Sequence, residues 1–99
     1  MTQYVQLHYK KEVKMKTIKI LSENGLHARP ASLIVNACLE FESEIFLVKG
    51  NTKANARSIM NLMAMGIVHG DEIVVEADGH DATEAEEKIV SIIEGAAHD

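Results

Sequence analysis

Between residues 16 and 93 the apolar residues switch repeatedly between two spacings, and that alternation limits the chain to very few architectures. In KTIKIL (16–21) Ile18 and Ile20 fall on one side and Lys19 on the other, the period of a strand. Helical spacing follows in ASLIVNACLEF (31–41): Leu33, Ile34, Ala37, Cys38 and Phe41 make one stripe of a helix predicted over 28–41. EIFLVK (44–49) reads as a second strand, and Gly50-Asn51 is a two-residue hairpin signal leading into TKAN (52–55). Residues 58–65 predict a short helix closed by Gly66, and EIVVEAD (72–78) a fourth strand. Asp81-Ala-Thr-Glu84 has the form of a capping box opening a last helix with Ala82, Ala85, Ile89, Ile92 and Ile93 inward. The predicted order is βαββαβα. In 99 residues that means one α+β domain, a single sheet with helices packed on one face.

Several function classes fall away on composition. Two Tyr, two Phe and no Trp provide no stacking platform for nucleic acid, and a net charge of −5 without a basic run provides no electrostatic footprint for nucleic acid or an anionic membrane. No apolar run approaches a membrane span. One cysteine, Cys38, forms no internal disulfide and fits a reducing cytoplasmic compartment, and neither CxxC nor HExxH is present to hold a metal. No cofactor, metal or oligomer is called for, so a monomer is expected.

NGLHARPA (24–31) is where chemistry concentrates. A helix starting just after His27 leaves the amides of Ala28 and Arg29 without intrahelical acceptors, at the positive end of the helix dipole. Such an end is an anion site. Arg29 adds a planar cationic fork suited to phosphate oxygens, Pro30 is tolerated in a first turn, and Gly25 lets the chain turn tightly. These parts suit a histidine that carries a phosphoryl group. The other histidines, His8, His69, His80 and His98, lie in tail or turn segments without an adjacent Arg-Pro. For Ser58 the plain reading is a helix N-cap. Five apolar residues within 58–65 exceed what a small core can take from one short helix, so some of them are expected at the surface, where Met suits an adaptable contact.

GLHARPA (25–31) resembles the active-site signature of HPr, the histidine-containing phosphocarrier family of the bacterial phosphoenolpyruvate:sugar phosphotransferase system. KANARSIMNLMAMGI (53–67) resembles the family's regulatory-serine block, with Asn61 standing where family members often carry Gly. The resemblance spans about residues 15–95. It implies an open-faced β-sandwich, a four-stranded antiparallel sheet covered on one face by three helices. It implies that His27 accepts phosphate through Nδ1 from enzyme I and passes it to enzyme IIA domains of sugar permeases. Arg29 would stabilise the moving group, with the Ala28 and Arg29 amides capping it. Ser58 would be the target of an HPr kinase/phosphorylase. Ile59, Met60 and Met63 would form the docking patch with Ser32 at its rim, and Leu62 would be core. Two other roles follow from related sequences: a regulatory module that docks on a catabolite-control transcriptional regulator when Ser58 is phosphorylated, and a carrier in a nitrogen-linked phosphotransfer branch.

Residues 1–14 lie outside the resemblance, and 15–99 are taken as the domain. Tyr4, Val5, Leu7 and Tyr9 weakly suggest a strand. Lys11-Glu12-Val13-Lys14-Met15 is also what a purine-rich ribosome-binding sequence ahead of an ATG codon would encode, so Met15 is the expected natural start. The tail GAAHD (95–99) is expected to fray, and Glu84, Glu86 and Glu87 to form a solvated helix face.

Overall fold

The computed structural model describes residues 12–98. In chain order these form β1 (Glu12–Lys19), α1 (Ala28–Cys38), β2 (Glu44–Lys49), β3 (Thr52–Asn55), α2 (Ile59–Ala64), β4 (Glu72–Gly79) and α3 (Ala82–Gly95), then a 3₁₀ turn at Ala96–His98. The strands lie in the order β1-β4-β2-β3, and each neighbouring pair is antiparallel. The βαββαβα order expected from the sequence is the order observed.

Register follows from which side chains must be dry. Ile18 pairs with Ile73, Ile45 with Ala77, and Leu47 with both Val75 and Ala54, so one face of the sheet is apolar throughout. Every one of these side chains is buried. A slip of one residue would turn the whole set to water. Onto this face α1 brings Pro30, Ala31, Ile34, Ala37 and Cys38, and α3 brings Ala82, Ala85, Ile89, Val90 and Ile93. From α2 only Leu62 is buried. On the opposite face the Lys53 ammonium bonds the Glu76 carboxylate at 2.9 Å and lies 4.3 Å from the centre of the Phe46 ring. The molecule is therefore an antiparallel sheet covered on one side by three helices. The β2–β3 turn has Gly50 at φ +58° and no positive φ at Asn51, the φ pattern of a type II′ hairpin.

Five expectations are corrected. The first strand starts at Glu12 and stops at Lys19, so residues 12–14 pair with 77–79 instead of standing apart from the domain. They add backbone pairing and little core, since Val13 and Met15 are 55% and 64% exposed. The strand suggested by Tyr4, Val5, Leu7 and Tyr9 lies outside the described residues. α1 ends at Cys38, beyond which the Leu39, Glu40 and Phe41 N–H groups donate to carbonyls three residues back, and Leu33 turns outward while Ile34 holds the core. The tail is not frayed as far as Ala96: Gly95 stays in α3 and Ala96 is 7% exposed, while Asp99 lies outside the described residues. Asp81 is the N-cap of α3 by position, but its side chain makes no capping bond.

Candidate phosphate-acceptor site

His27 is the N-cap of α1, with extended backbone and no side-chain capping bond. The ring is half-buried. Its Nε2 is closed off from solvent and has no hydrogen-bond partner among the described residues. The first intrahelical bond runs from the Ala31 N–H to the His27 carbonyl at 3.1 Å, so the amides of Ala28 and Arg29 lie ahead of the helix's own hydrogen-bond ladder. Pro30 has no N–H to orphan, and its ring is buried. The 11 residues of α1 direct their dipole's positive end at the histidine.

A glycine and a loop aim this end. Gly25 has φ +64°, and a Cβ there would stand 2.3 Å from the Ile67 carbonyl oxygen and 2.8 Å from Val68 Cα. Both the dihedral and the close approach therefore demand glycine. Next to it the Leu26 N–H donates to the same Ile67 oxygen at 3.1 Å, with the Leu26 side chain in the core. Residues 66–71 are held in turn by Asp71, whose carboxylate accepts from the Val68 N–H and pairs with the Lys49 ammonium, each at 2.8 Å. The Lys49 hydrogen bond, helped by the Val68 amide, holds the Asp71 carboxyl below the usual carboxylate range. Lys49 also donates to the Gly66 carbonyl at 3.2 Å. Nothing in the local pattern marks Lys49 or Asp71 as supports of the histidine loop, because their partners are distant in sequence.

The residues expected at the site divide into two groups. Arg29 is exposed and Ser32 half-buried along the first turns of α1. Ile59, Met60 and Met63 are 39%, 79% and 43% exposed on α2, and Leu62 is fully buried, the division that the resemblance implies. Ser58 stands apart from His27. It caps α2, its Oγ accepting the Asn61 N–H at 3.2 Å, and α2 begins beside the far end of α1. The link there is Arg57, which the sequence reading did not single out. Its guanidinium donates to the carbonyl oxygens of Cys38 at 2.7 Å and of Phe41 and Ser43 at 2.9 Å each, closing the C-terminus of α1.

Asp81 works on the same loop from the other side. Its carboxylate accepts from the Glu42 and Ser43 amides at 2.9 Å each and from the Ser43 hydroxyl. Burial pulls its carboxyl upward, but the Ser43 hydroxyl, the two amides and the neighbouring His80 together hold it below the ordinary range. The Glu42 carboxylate in turn bonds the His80 ring and raises that imidazole. Cys38 is buried with its Sγ 3.6 Å from the Ala56 carbonyl oxygen, and burial pushes the thiol up, away from reactivity. Among the described residues no cluster of His, Cys, Asp and Glu is arranged to hold a metal, and no helix is long and apolar enough to cross a membrane.

With this geometry in place, comparison with known proteins is direct. The family model for the PTS HPr component phosphorylation site matches residues 14–95. Phosphocarrier protein HPr of Treponema pallidum is 44% identical over 71 residues, covering 72% of this chain and 81% of that protein. The structure of the Mycoplasma histidine-containing phosphocarrier protein superposes with a TM-score of 0.81 at 38% identity, covering 85% of this chain and 96% of the other. HPr-like protein Crh of Bacillus subtilis is 41% identical over 85 residues, 86% of this chain and 92% of Crh. A Crh structure described as a domain-swapped dimer superposes with a TM-score of 0.68 at 38% identity over 80% of this chain and 91% of Crh.

Proposed function

This chain belongs to the HPr family of the phosphotransferase system, and on that footing we propose that it is a phosphocarrier whose His27 takes a phosphoryl group from the phosphohistidine of enzyme I and gives it to a histidine of an enzyme IIA domain. The observation that carries this reading is the half-buried His27 ring at the head of α1, its Nε2 closed off, beside amides that precede the helix's own hydrogen bonds.

In the transfer the Nδ1 lone pair forms a bond to phosphorus while the bond from phosphorus to the donor's ring nitrogen breaks. That electron pair returns to the donor ring. No water takes part, and the reverse step, toward the next histidine, uses the same geometry. The chain's contribution is positioning and charge: the Ala28 and Arg29 amides and the Arg29 guanidinium face a group that stays anionic throughout. The helix-end interaction is worth about 0.3–1 kcal/mol, up to about 2 when partly buried. A charged hydrogen bond adds about 1.5–3 kcal/mol. Sums of this size hold the phosphoryl group without trapping it.

Ser58 serves regulation in this reading, as substrate of an HPr kinase/phosphorylase. Its N-cap position offers a phosphate the open amides of a helix start, and the added charge of about −2 lies beside the exposed Ile59 and Met60. Enzyme I docking is expected to weaken on that modification. The similarity to Crh supports a second role on the same chain, docking of the serine-phosphorylated form onto a transcriptional regulator. The carrier acts in the cytoplasm as a monomer, which light scattering of the purified chain checks.

The test is incubation with enzyme I, Mg²⁺ and phosphoenolpyruvate, followed by intact mass. An acid-labile gain of one phosphate, absent in His27→Ala, is expected. Absence of any gain with enzymes I from several bacteria would discard the carrier reading in favour of the regulatory module.

A further inference from the structure

The strand order puts β1 at one end of the sheet, and among the described residues it pairs only with β4. Ile20, just past β1, fixes which way the backbone points. Its N–H donates to the Asp71 carbonyl and its own carbonyl accepts from the Gly70 N–H, each at 2.8 Å, so both groups turn toward the β4 side. The pairing continues in the same register back to Glu12, so alternate residues do likewise. Lys19, Thr17 and Met15 therefore direct their N–H and C=O groups outward. A groove of about 440 Å³ lies on that side. One wall is the strand from Lys16 to Lys19 and on to Leu21, and the other is Ile93, Glu94 and Ala97, from the end of α3 and the turn after it. Successive side chains of a strand point to opposite faces, so a groove that touches all of 16–19 runs along the strand's edge, and the other edge is covered by β4. An unpaired edge beside a groove walled by a helix is the arrangement into which an extended segment adds as one more strand.

We propose that this edge binds an extended acidic segment of another protein, added antiparallel to β1 as a further strand, with an aliphatic side chain in the groove and carboxylates on Lys16 and Lys19. The inference stands whether or not His27 carries phosphorus. Charge selects the occupant. Lys16 and Lys19 are both exposed and project to opposite faces of the sheet, so an added strand meets a cation on each side of its backbone. The acid of the groove, Glu94, belongs to the helix wall, so the segment's own acids belong against the strand. Residues 1–11 include Lys10 and Lys11 and neither Asp nor Glu, the wrong sign for this edge. A second copy paired through β1 would add its Lys14, Lys16 and Lys19 to the lysines already there, an unfavourable cross-strand arrangement. Shape sets the rest. Ile18 lies between the two lysines and faces the helix layer, where Ile93 and Ala97 wall the groove, so the residue opposite it meets apolar surface. Read antiparallel from Leu21 back to Met15, the complementary pattern is apolar, small, acidic, aliphatic, small, acidic, apolar.

The probe is a peptide with that pattern, acetyl-Val-Thr-Glu-Ile-Thr-Glu-Val-amide, titrated into the ¹⁵N-labelled full chain and followed by NMR. The expected result is saturable binding with a Kd below about 1 mM, and hydrogen exchange at the Thr17 and Lys19 amides slowed by about tenfold or more. Thr17→Pro removes an outward donor and leaves the bonds to β4 in place, so it should weaken binding about tenfold. A chain carrying both Lys16→Glu and Lys19→Glu should lose as much and should prefer the peptide with Lys in place of both Glu. Circular dichroism verifies each fold, and the charge reversal carries the test alone should the proline variant unfold. Failure of the peptide to bind wild type, equal binding of its Lys counterpart to wild type, or protection at amides away from β1 would overturn the proposal. So would sodium decanoate shifting Ile18, Ile93 and Ala97 where the peptide does not, the mark of a site for an amphiphilic anion. Self-association that protects Thr17 and Lys19 without peptide would overturn it in favour of a second copy.

Discussion

At the N-terminal end of α1 a ring nitrogen of His27 is buried without a partner among the described residues, and the first amides precede the helix's own hydrogen bonds. At the C-terminal end the carbonyls of Cys38, Phe41 and Ser43 are taken by one guanidinium, and the Glu42 and Ser43 amides by one carboxylate. The same helix thus begins with amides outside its own hydrogen-bond ladder and ends saturated. The saturated end marks where the chain is fastened. Supports follow the same division. Gly25, Lys49 and Asp71 shape the His27 end without touching the ring, whereas Arg57 and Asp81 bond the closing loop itself.

Substitutions should separate the two ends by size of effect. Gly25→Ala is expected to cost the most. It forces a positive φ and a Cβ into the Ile67 carbonyl, about 2–4 kcal/mol together by thermal or urea unfolding. It should also slow phosphorylation, since it moves the loop that aims His27. Asp81→Ala orphans two amides and a hydroxyl at the saturated end, and about 2 kcal/mol should be lost in urea titrations. Because folding lowers this carboxyl, its contribution is present above the ordinary carboxylate range near pH 4 and disappears as pH falls through the lowered folded value. An Asp81→Asn variant should accordingly show a flatter acid limb in its stability profile.

Arg57→Met keeps the apolar stem and removes three hydrogen bonds from a solvent-exposed head, for about 1–2 kcal/mol. Its rate of phosphorylation at His27 should stay close to wild type, and a collapse of that rate would break the division between the ends. Ser58→Ala should cost about 1 kcal/mol, the value of a lost N-cap, in a thermal melt. The smallest effect belongs to His80. Its imidazole is raised by Glu42, so its contribution is fully present below pH about 6.5 and fades as pH climbs through the raised folded value. Wild type and His80→Gln should therefore differ in stability mainly on the acidic side of that window.

Sequence pattern revealed whatever depends on neighbours along the chain. Periodicity and turn signals located each strand and helix, and the family resemblance separated Leu62 as core from Met60 and Met63 at the surface. Gly25, His27, Arg29 and Pro30 were legible because a turn, a helix start and a cation sit within a few residues. Long-range polar bonds were not. Arg57 reads as one more cation until the carbonyl of Cys38, 19 residues away, comes to meet it. Asp81-Ala-Thr-Glu84 has every local mark of a capping box. The carboxylate instead crosses 38 residues of sequence to Ser43, where two amides and a hydroxyl together offer it more than its own helix does. Leu33 failed as a core residue for a related reason: it falls at the margin of the helical stripe, and Ile34 already fills the place that α1 presents to the sheet.

The central claim is that His27, its Nε2 closed off by the fold, is the residue that takes phosphorus, and takes it on Nδ1. The most direct measurement is the ring-nitrogen NMR spectrum of the ¹⁵N-labelled chain after phosphorylation by enzyme I, which reads which nitrogen of His27 bears phosphorus. Phosphorus on Nδ1 is the predicted result. Phosphorus on Nε2, the nitrogen the fold buries, or on a histidine other than His27, would contradict the account.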